Sequence, residues 1–248
     1  MGLKHELRKL LRRFGYDISR VTPLSHAMAL RKTMLGSYDI DTVLDVGANA
    51  GQFALALRRE AGYTGRILSF EPLSAAYELL KENAKGDPDW EVFRCAIGDA
   101  EGNREINIAG NSYSSSLLDM LPSHLKSAPE SRYVGKELID VRTLDSLFEN
   151  VRKNAGNVYL KIDTQGFESR VLAGAEKSLA FINTVEMEMA LVPLYDGELL
   201  FHEMCLRMRS NGYTLVALEN EFSDPVSGQL LQVDGIFHRF VPLGPAIP

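Results

Sequence analysis

The chain has 248 residues, 45% of them hydrophobic and 24% charged, the balance of a globular protein able to bury a large core. Its net charge of -6 argues against a surface that grips nucleic acid by neutralising phosphates. Two distant cysteines, Cys95 and Cys205, make neither a disulfide framework nor a metal site, and no run reaches the roughly eighteen apolar residues of a membrane span. The N-terminus lacks the apolar core of a secretory signal, so the expected setting is a reducing cytoplasm.

Residues 1 to 20 place Leu3, Leu7, Leu10, Phe14 and Ile18 on one helical stripe, with Lys4, Arg8, Lys9, Arg12 and Arg13 around it. Such a helix most often docks on its own domain; the other option is peripheral contact with an anionic membrane. Thr22 to Gly36 reads as a second short helix with Pro23 in its first turn. Together these make a helical extension over residues 1–38, ahead of one domain over residues 39–248.

Strand–helix alternation begins next. Thr42-Val43-Leu44-Asp45-Val46 is an apolar run closed by an acid, and Gly47-Ala48-Asn49-Ala50-Gly51 is a tight turn into a helix. Gly47 and Gly51 offer a backbone without Cβ atoms against which a ligand could lie. A dinucleotide fold wants a glycine where Asn49 stands, and a phosphate-binding loop wants Lys-Ser or Lys-Thr after its last glycine. Asp45 would repel a pyrophosphate but suits a ligand bearing an ammonium and a sulfonium. The second apolar run, Arg66 to Phe70, ends at Glu71-Pro72, where an acid can accept hydrogen bonds from both ribose hydroxyls. Asp45 and Glu71 together describe S-adenosylmethionine better than NAD.

Farther on, Ser74 to Asn83 reads as a helix with Ser74 as its N-cap, and Glu91 to Ala96 as a third strand. Glu105 to Ile108 is an extra strand and Asn111 to Ser116 a serine-rich loop. Pro122 to Lys136 has no clear period and reads as a mobile connection or lid, its His124 as a surface residue. A short strand and turn from Asp140 lead into a helix through Phe148. In the strand Val158 to Asp163, Lys161 is either half of a structural ion pair or a catalytic group. Glu168 suits the first turn of the following helix, a structural place.

The fifth strand, Asn183 to Leu191, points Glu186 and Glu188 to one face. Beside the strand ending at Asp163 they would form a cluster of three acids that could bind Mg²⁺, share a proton or hold substrate hydroxyls. Leu199 to Asn211 is a helix stopped by Gly212, and Tyr213 to Glu219 with Gln229 to Phe240 make a closing strand pair.

Several of these segments carry a family resemblance: Val43 to Gly51, Phe70-Glu71-Pro72, Ala96-Ile97-Gly98-Asp99, and Leu160-Lys161-Ile162-Asp163-Thr164-Gln165-Gly166-Phe167-Glu168 running into Val171 to Ala175. Over about residues 40 to 240 the chain resembles the FkbM family of class I S-adenosylmethionine-dependent methyltransferases; Gln165 stands where many relatives carry Glu. The resemblance implies an α/β, Rossmann-like sheet, mostly parallel with a C-terminal antiparallel pair, and helices on both faces. It implies an adenine site at Ala96 and Ile97, a cofactor contact at Ser116, and hydroxyl acceptors on sugars, glycolipids or natural products. The expected donor contacts are Asp45, Gly47, Ala48, Asn49, Gly51, Glu71, Pro72, Ala96, Ile97 and Ser116. Asp163 is the expected base, with Lys161, Glu186 and Glu188 as its partners. A non-catalytic S-adenosylmethionine-binding protein and an NAD-dependent oxidoreductase are the competing readings, the latter opposed by Asn49 and Asp45.

Overall fold

The computed structural model describes residues 3–18, 20–152 and 155–240. Helices α1 (Leu3–Arg13) and α2 (Ala27–Ser37) precede strand β1 (Ile40–Val46). A short α3 (Gln52–Ala56), continued by one π-helical turn over Leu57–Ala61, leads to β2 (Arg66–Phe70), α4 (Ser74–Ala84) and β3 (Trp90–Phe93). Next come β4 (Ala96–Ile97), β5 (Gly102–Ala109), α5 (Pro122–Ser127), β6 (Tyr133–Arg142) and α6 (Leu144–Arg152). The chain closes with β7 (Asn157–Ile162), α7 (Glu168–Ala173), β8 (Ile182–Ala190), α8 (Phe201–Ser210), β9 (Thr214–Ser223) and β10 (Leu230–His238).

Seven strands form one sheet in the order β3-β2-β1-β7-β8-β10-β9. The five from β3 to β8 run parallel, and β10 pairs antiparallel with both β8 and β9. The chain reverses its direction of travel across the sheet between β1 and β7, so the carboxyl ends of those strands open on one crevice. Their register puts Asp45 opposite Lys161, and Lys161 opposite Glu186 on β8, a polar row across the centre of the sheet. Around that row the strands are apolar on both faces, as buried parallel strands are. Leu44, Phe70, Leu160 and Val185 pack with Leu144, Val171 and Met204 on one side, and Val43, Ile67 and Tyr159 with Leu35, Leu57 and Leu80 on the other.

A second sheet, β4-β6-β5, stands beside the first, and here the structure departs from several expectations. The single strand expected over Glu91 to Ala96 is divided: β3 pairs with β2, while β4 pairs with β6. Pro122 to Lys136 is ordered as α5 and the start of β6 instead of a lid. His124 is buried, its ring against those of Tyr195 and Phe222, and is not a surface residue. Leu73 is the cap of α4, and Ser74 instead bonds Glu137 of β6, tying the helix to the second sheet.

The N-terminal helices differ from each other. α2 starts at Ala27, five residues later than the pattern suggests, because Ser25 Oγ accepts the Thr22 amide and closes a turn that holds Pro23. It buries Met28, Arg31, Met34 and Leu35 on the domain. No described side chain of α1 is buried, so this helix does not dock on its own domain as expected. Among the described residues no helix is long and apolar enough to cross a membrane.

Candidate active site

The turn after β1 holds Gly47, Asn49 and Gly51 at φ of 80°, 48° and 86°, in the left-handed region that favours glycine and tolerates asparagine. The glycines also leave no room for a side chain on the protein side of the turn. A Cβ at Gly47 would lie 1.8 Å from the Asp163 carbonyl oxygen, and one at Gly51 would meet Leu80 and Trp90 at 2.8 Å. Both glycines let the turn close on β7 and α4. That closure aims the Asn49 amide at one Glu71 oxygen, 2.9 Å away, while the Leu73 amide bonds the other at 2.9 Å. Burial pushes the Glu71 carboxyl up to about 7, against the pull of these two amides.

One cavity runs from Glu71 along the strand tips. Gly47, Asn49, Glu71, Pro72, Ala96 and Ile97 line its first half, as expected. Asp163, Gln165, Glu188 and Glu221 line the second, and Tyr113 of the serine-rich loop and Leu117 after it also line the cavity. Four expected contacts are not among the lining. Ala48 and Gly51 are buried behind the turn. Ser116 faces away, donating to the Gln165 carbonyl at 2.7 Å, and Ser112 and Ser115 line the cavity in its place. Asp45 is wholly buried: Ser69 Oγ donates to its Oδ2 at 3.2 Å, and its Oδ1 has no hydrogen-bond partner among the described residues. Burial raises its carboxyl to about 6, opposed by the nearby Lys161 ammonium. Asp45 thus stands behind the site as one flank of Lys161.

At the acid end, Lys161 Nζ donates to Asp163 Oδ2 at 2.9 Å and lies 5.4 Å from the centre of the Phe53 ring. Burial works to raise the Asp163 carboxyl, but the ammonium and the Gln165 amide outweigh it and hold it below the usual range. Glu188 is pushed the other way, well above its usual value, first by burial and then by the negative Asp163 and Glu168. Gln165 sits between the two: its Nε2 donates to Asp163 Oδ1 at 3.0 Å and to Glu188 Oε2 at 3.1 Å. The Tyr195 hydroxyl donates to Gln165 Oε1 at 2.8 Å, which sets which way the amide faces. Gln232 adds a second donor to Glu188 Oε2, at 2.7 Å. A glutamate at 165 could not donate to both carboxylates, so the amide suits this pair.

Glu186 does not share this role, although the alternation of β8 turns it to the same face. Arg31 of α2 grips it through Nε at 3.0 Å, the Tyr159 hydroxyl bonds it too, and it does not line the cavity. The same guanidinium reaches Glu219 at 2.6 Å and Asp234 at 3.8 Å. Glu186 is therefore spent on an ion pair that fastens α2 to the sheet. Lys161 also lies outside the cavity lining and is linked to it by its ion pair with Asp163. Glu168 takes the structural place expected of it, accepting the amides of Thr164 at 2.8 Å and Gly166 at 3.2 Å. Among the described residues, no three His, Cys, Asp or Glu side chains are grouped to hold a metal ion.

Sequence reasoning missed Arg31, Tyr195, Glu221 and Gln232. Arg31 had a signal: it stands at helical spacing between Met28 and Leu35, an arginine in an apolar stripe, which asks for a buried partner. Glu221 and Gln232 alternate like solvent-facing strand residues, and nothing local marks Tyr195.

The chain is similar to several known proteins. A curated relative, the 2-O-methyltransferase NoeI of Sinorhizobium fredii, is 26% identical over 207 residues, covering 80% of this chain and 83% of its own. Another, the 31-O-demethyl-FK506 methyltransferase FkbM of Streptomyces tacrolimicus, is 27% identical over 204 residues, 71% and 74% of the two chains. Among solved structures, an rRNA methylase from Streptococcus thermophilus superposes with a TM-score of 0.49 at 9% identity, over 90% of this chain and 100% of its own. The family described as the methyltransferase FkbM domain matches residues 45–215, from the end of β1 into β9. That span takes in most of the chain and every residue lining the cavity except Glu221, and the protein belongs to the FkbM methyltransferases.

Proposed function

We propose that the protein transfers the methyl group of S-adenosylmethionine to a hydroxyl of a sugar, glycolipid or natural-product acceptor. The observation that carries this reading is a single cavity joining Glu71 and its apolar walls to the Asp163–Glu188 pair. The residues fit such a donor. Each Glu71 oxygen already holds one backbone amide, which leaves a lone pair on each for a ribose diol. Phe70, Pro72, Ile97 and Phe167 supply apolar wall for a flat base. When bound, S-adenosylmethionine supplies an electrophilic methyl on a sulfonium.

The rest of the chemistry belongs to the chain. Asp163, kept ionised by Lys161, accepts the proton of the acceptor hydroxyl, a contribution of about 10² to 10⁴ in rate. Glu188, its carboxyl held well above its usual range by burial and the neighbouring acids, orients the acceptor. Two carboxyls driven apart in this way divide the acid and base roles between them. Holding both substrates in line with water excluded is worth about 7 to 11 kcal/mol more. The mechanism assigns no step to Mg²⁺, since these carboxylates meet an ammonium and two amides of the chain itself. An oxygen acceptor is supported by the names of the two relatives, both of which specify methylation at oxygen. The acceptor enters along a groove between residues 23–31 and 218–221, where Glu221 lines both the groove and the donor cavity. Residues 23–31 of the extension then form one wall of the acceptor site, and the enzyme works on the cytoplasmic side.

Labelled S-adenosylmethionine incubated with the enzyme and fractionated neutral glycan, glycolipid and natural-product pools should transfer label to an alkali-stable ether. Label found on nitrogen, or none transferred by a protein that binds the donor, would sink the proposal.

A further inference from the structure

Among the described residues, seven of the sixteen large apolar side chains left exposed fall within residues 7–24. Leu7, Leu10, Phe14, Ile18, Val21 and Leu24 follow one another along the N-terminal segment, Phe14 at 71% and Leu24 at 99% exposure. Apolar residues scattered singly over a surface need no explanation, but a contiguous run marks a place of contact. Residues 1 to 20 also hold six Lys or Arg against two acids, in a chain whose net charge is -6. Arg8 and Arg12 both bond Asp17, at 2.7 Å and 3.1 Å, which folds the segment after α1 back toward its helix and gathers the charge. α1 has eleven residues and buries no described side chain, and a helix of that length is marginal in water unless it packs on something.

We infer that residues 5–24 dock the enzyme on an anionic lipid surface. The apolar stripe enters the boundary between headgroups and acyl chains, and Arg8, Lys9, Arg12 and Arg13 meet the lipid phosphates. The basic surplus, opposite in sign to the rest of the protein, selects an anionic surface over a neutral one. Leu24 closes the apolar run and also lines the groove that leads past Leu218 to Glu221. Docking therefore sets the mouth of that groove at the membrane, where the head of a lipid-linked polyol would lie. This last step rests on the proposed methyl transfer; the docking itself does not.

Flotation of the full-length protein on phosphatidylcholine vesicles, with and without phosphatidylglycerol, tests the inference. The wild type should float with the anionic vesicles and release in high salt, and Leu7→Glu/Leu10→Glu/Phe14→Glu should lower the bound fraction about tenfold or more. These residues lie far from the core, so the variant should keep its melting temperature and its affinity for S-adenosylhomocysteine by calorimetry. A wild type that stays at the bottom of the gradient overturns the docking, as does a triple variant that floats equally well. So does light scattering that finds a wild-type dimer and a monomeric variant, which would make the stripe a contact between copies. A wild type that floats but does not bind S-adenosylhomocysteine supports the docking and removes the proposed donor instead.

Discussion

At one end of the cavity Glu71 is held by the backbone amides of Asn49 and Leu73; at the other, Asp163 and Glu188 are held by the side chains of Lys161, Gln165 and Gln232. The first arrangement comes from two adjacent strand–helix turns and needs little beyond correct backbone geometry. The second draws on β7, β8, β10 and the turn before α7, and each charge in it is set by its neighbours. The amides that hold Glu71 present the same donors whatever the pH, although Glu71 itself titrates near 7, whereas the carboxyls at the other end titrate together. The difference matches the division of labour proposed for them, with one half binding and the other moving a proton.

Substitutions can pull the two ends apart. The largest expected effect is that of Asp163→Asn, which should lower turnover by about 10² to 10⁴ while changing S-adenosylhomocysteine affinity by less than about 0.5 kcal/mol. Comparable losses in rate and in binding would mean that the ends are not separate. Arg31→Met leaves Glu186 buried without its cation and should cost about 3 to 5 kcal/mol of stability, read from urea unfolding. A midpoint that does not move would show that this ion pair fastens nothing.

Smaller effects belong to the Glu71 end. Glu71→Ala removes a carboxyl acceptor and should weaken S-adenosylhomocysteine binding roughly ten- to hundredfold, with turnover at saturating donor preserved. If turnover fell and affinity held, the roles assigned to the two ends would be reversed. The smallest effect is on pH. Burial raises the carboxyl of Glu71 to about 7 and that of Asp234 to about 8, so the folded protein favours their protonated forms. The stability they contribute is complete below their unfolded values near 4 and is lost as pH rises through 7 and 8. Asp163, depressed in the fold, has the opposite sign and loses its contribution only in acid. The melting temperature should therefore fall between about pH 5 and pH 8.5, and Glu71→Gln/Asp234→Asn should flatten the slope.

The Glu71 end was legible in the sequence because its parts are contiguous. A strand, a glycine turn and an acid at the next strand tip occupy residues 42 to 72, and the structure puts Gly47, Asn49, Glu71 and Pro72 on the cavity. Asp163 and Glu188 were found because an acid in an apolar strand is conspicuous wherever it falls. Their partners were not, since Tyr195 and Gln232 matter only through the neighbours that folding brings to them. Glu186 and Glu188 show how far strand alternation can be trusted: it put both on one face, but which of them met Arg31 depended on where α2 packed. The second sheet escaped notice because β6 is covered only near its C-terminal end, so most of its side chains face solvent and carry no apolar period.

Gly47 carries one consequence further. The carbonyl of Asp163 occupies the volume its side chain would need, so the loop before α3 and the strand that bears the base meet main chain to main chain. A contact of that kind cannot relax by choosing another rotamer. Even a single methyl group added there would move Asp163 itself, and on the proposed mechanism a change in the most recognisable stretch of the chain would be felt as a misaimed acceptor. The distance between the two substrates is gauged by an atom that is absent.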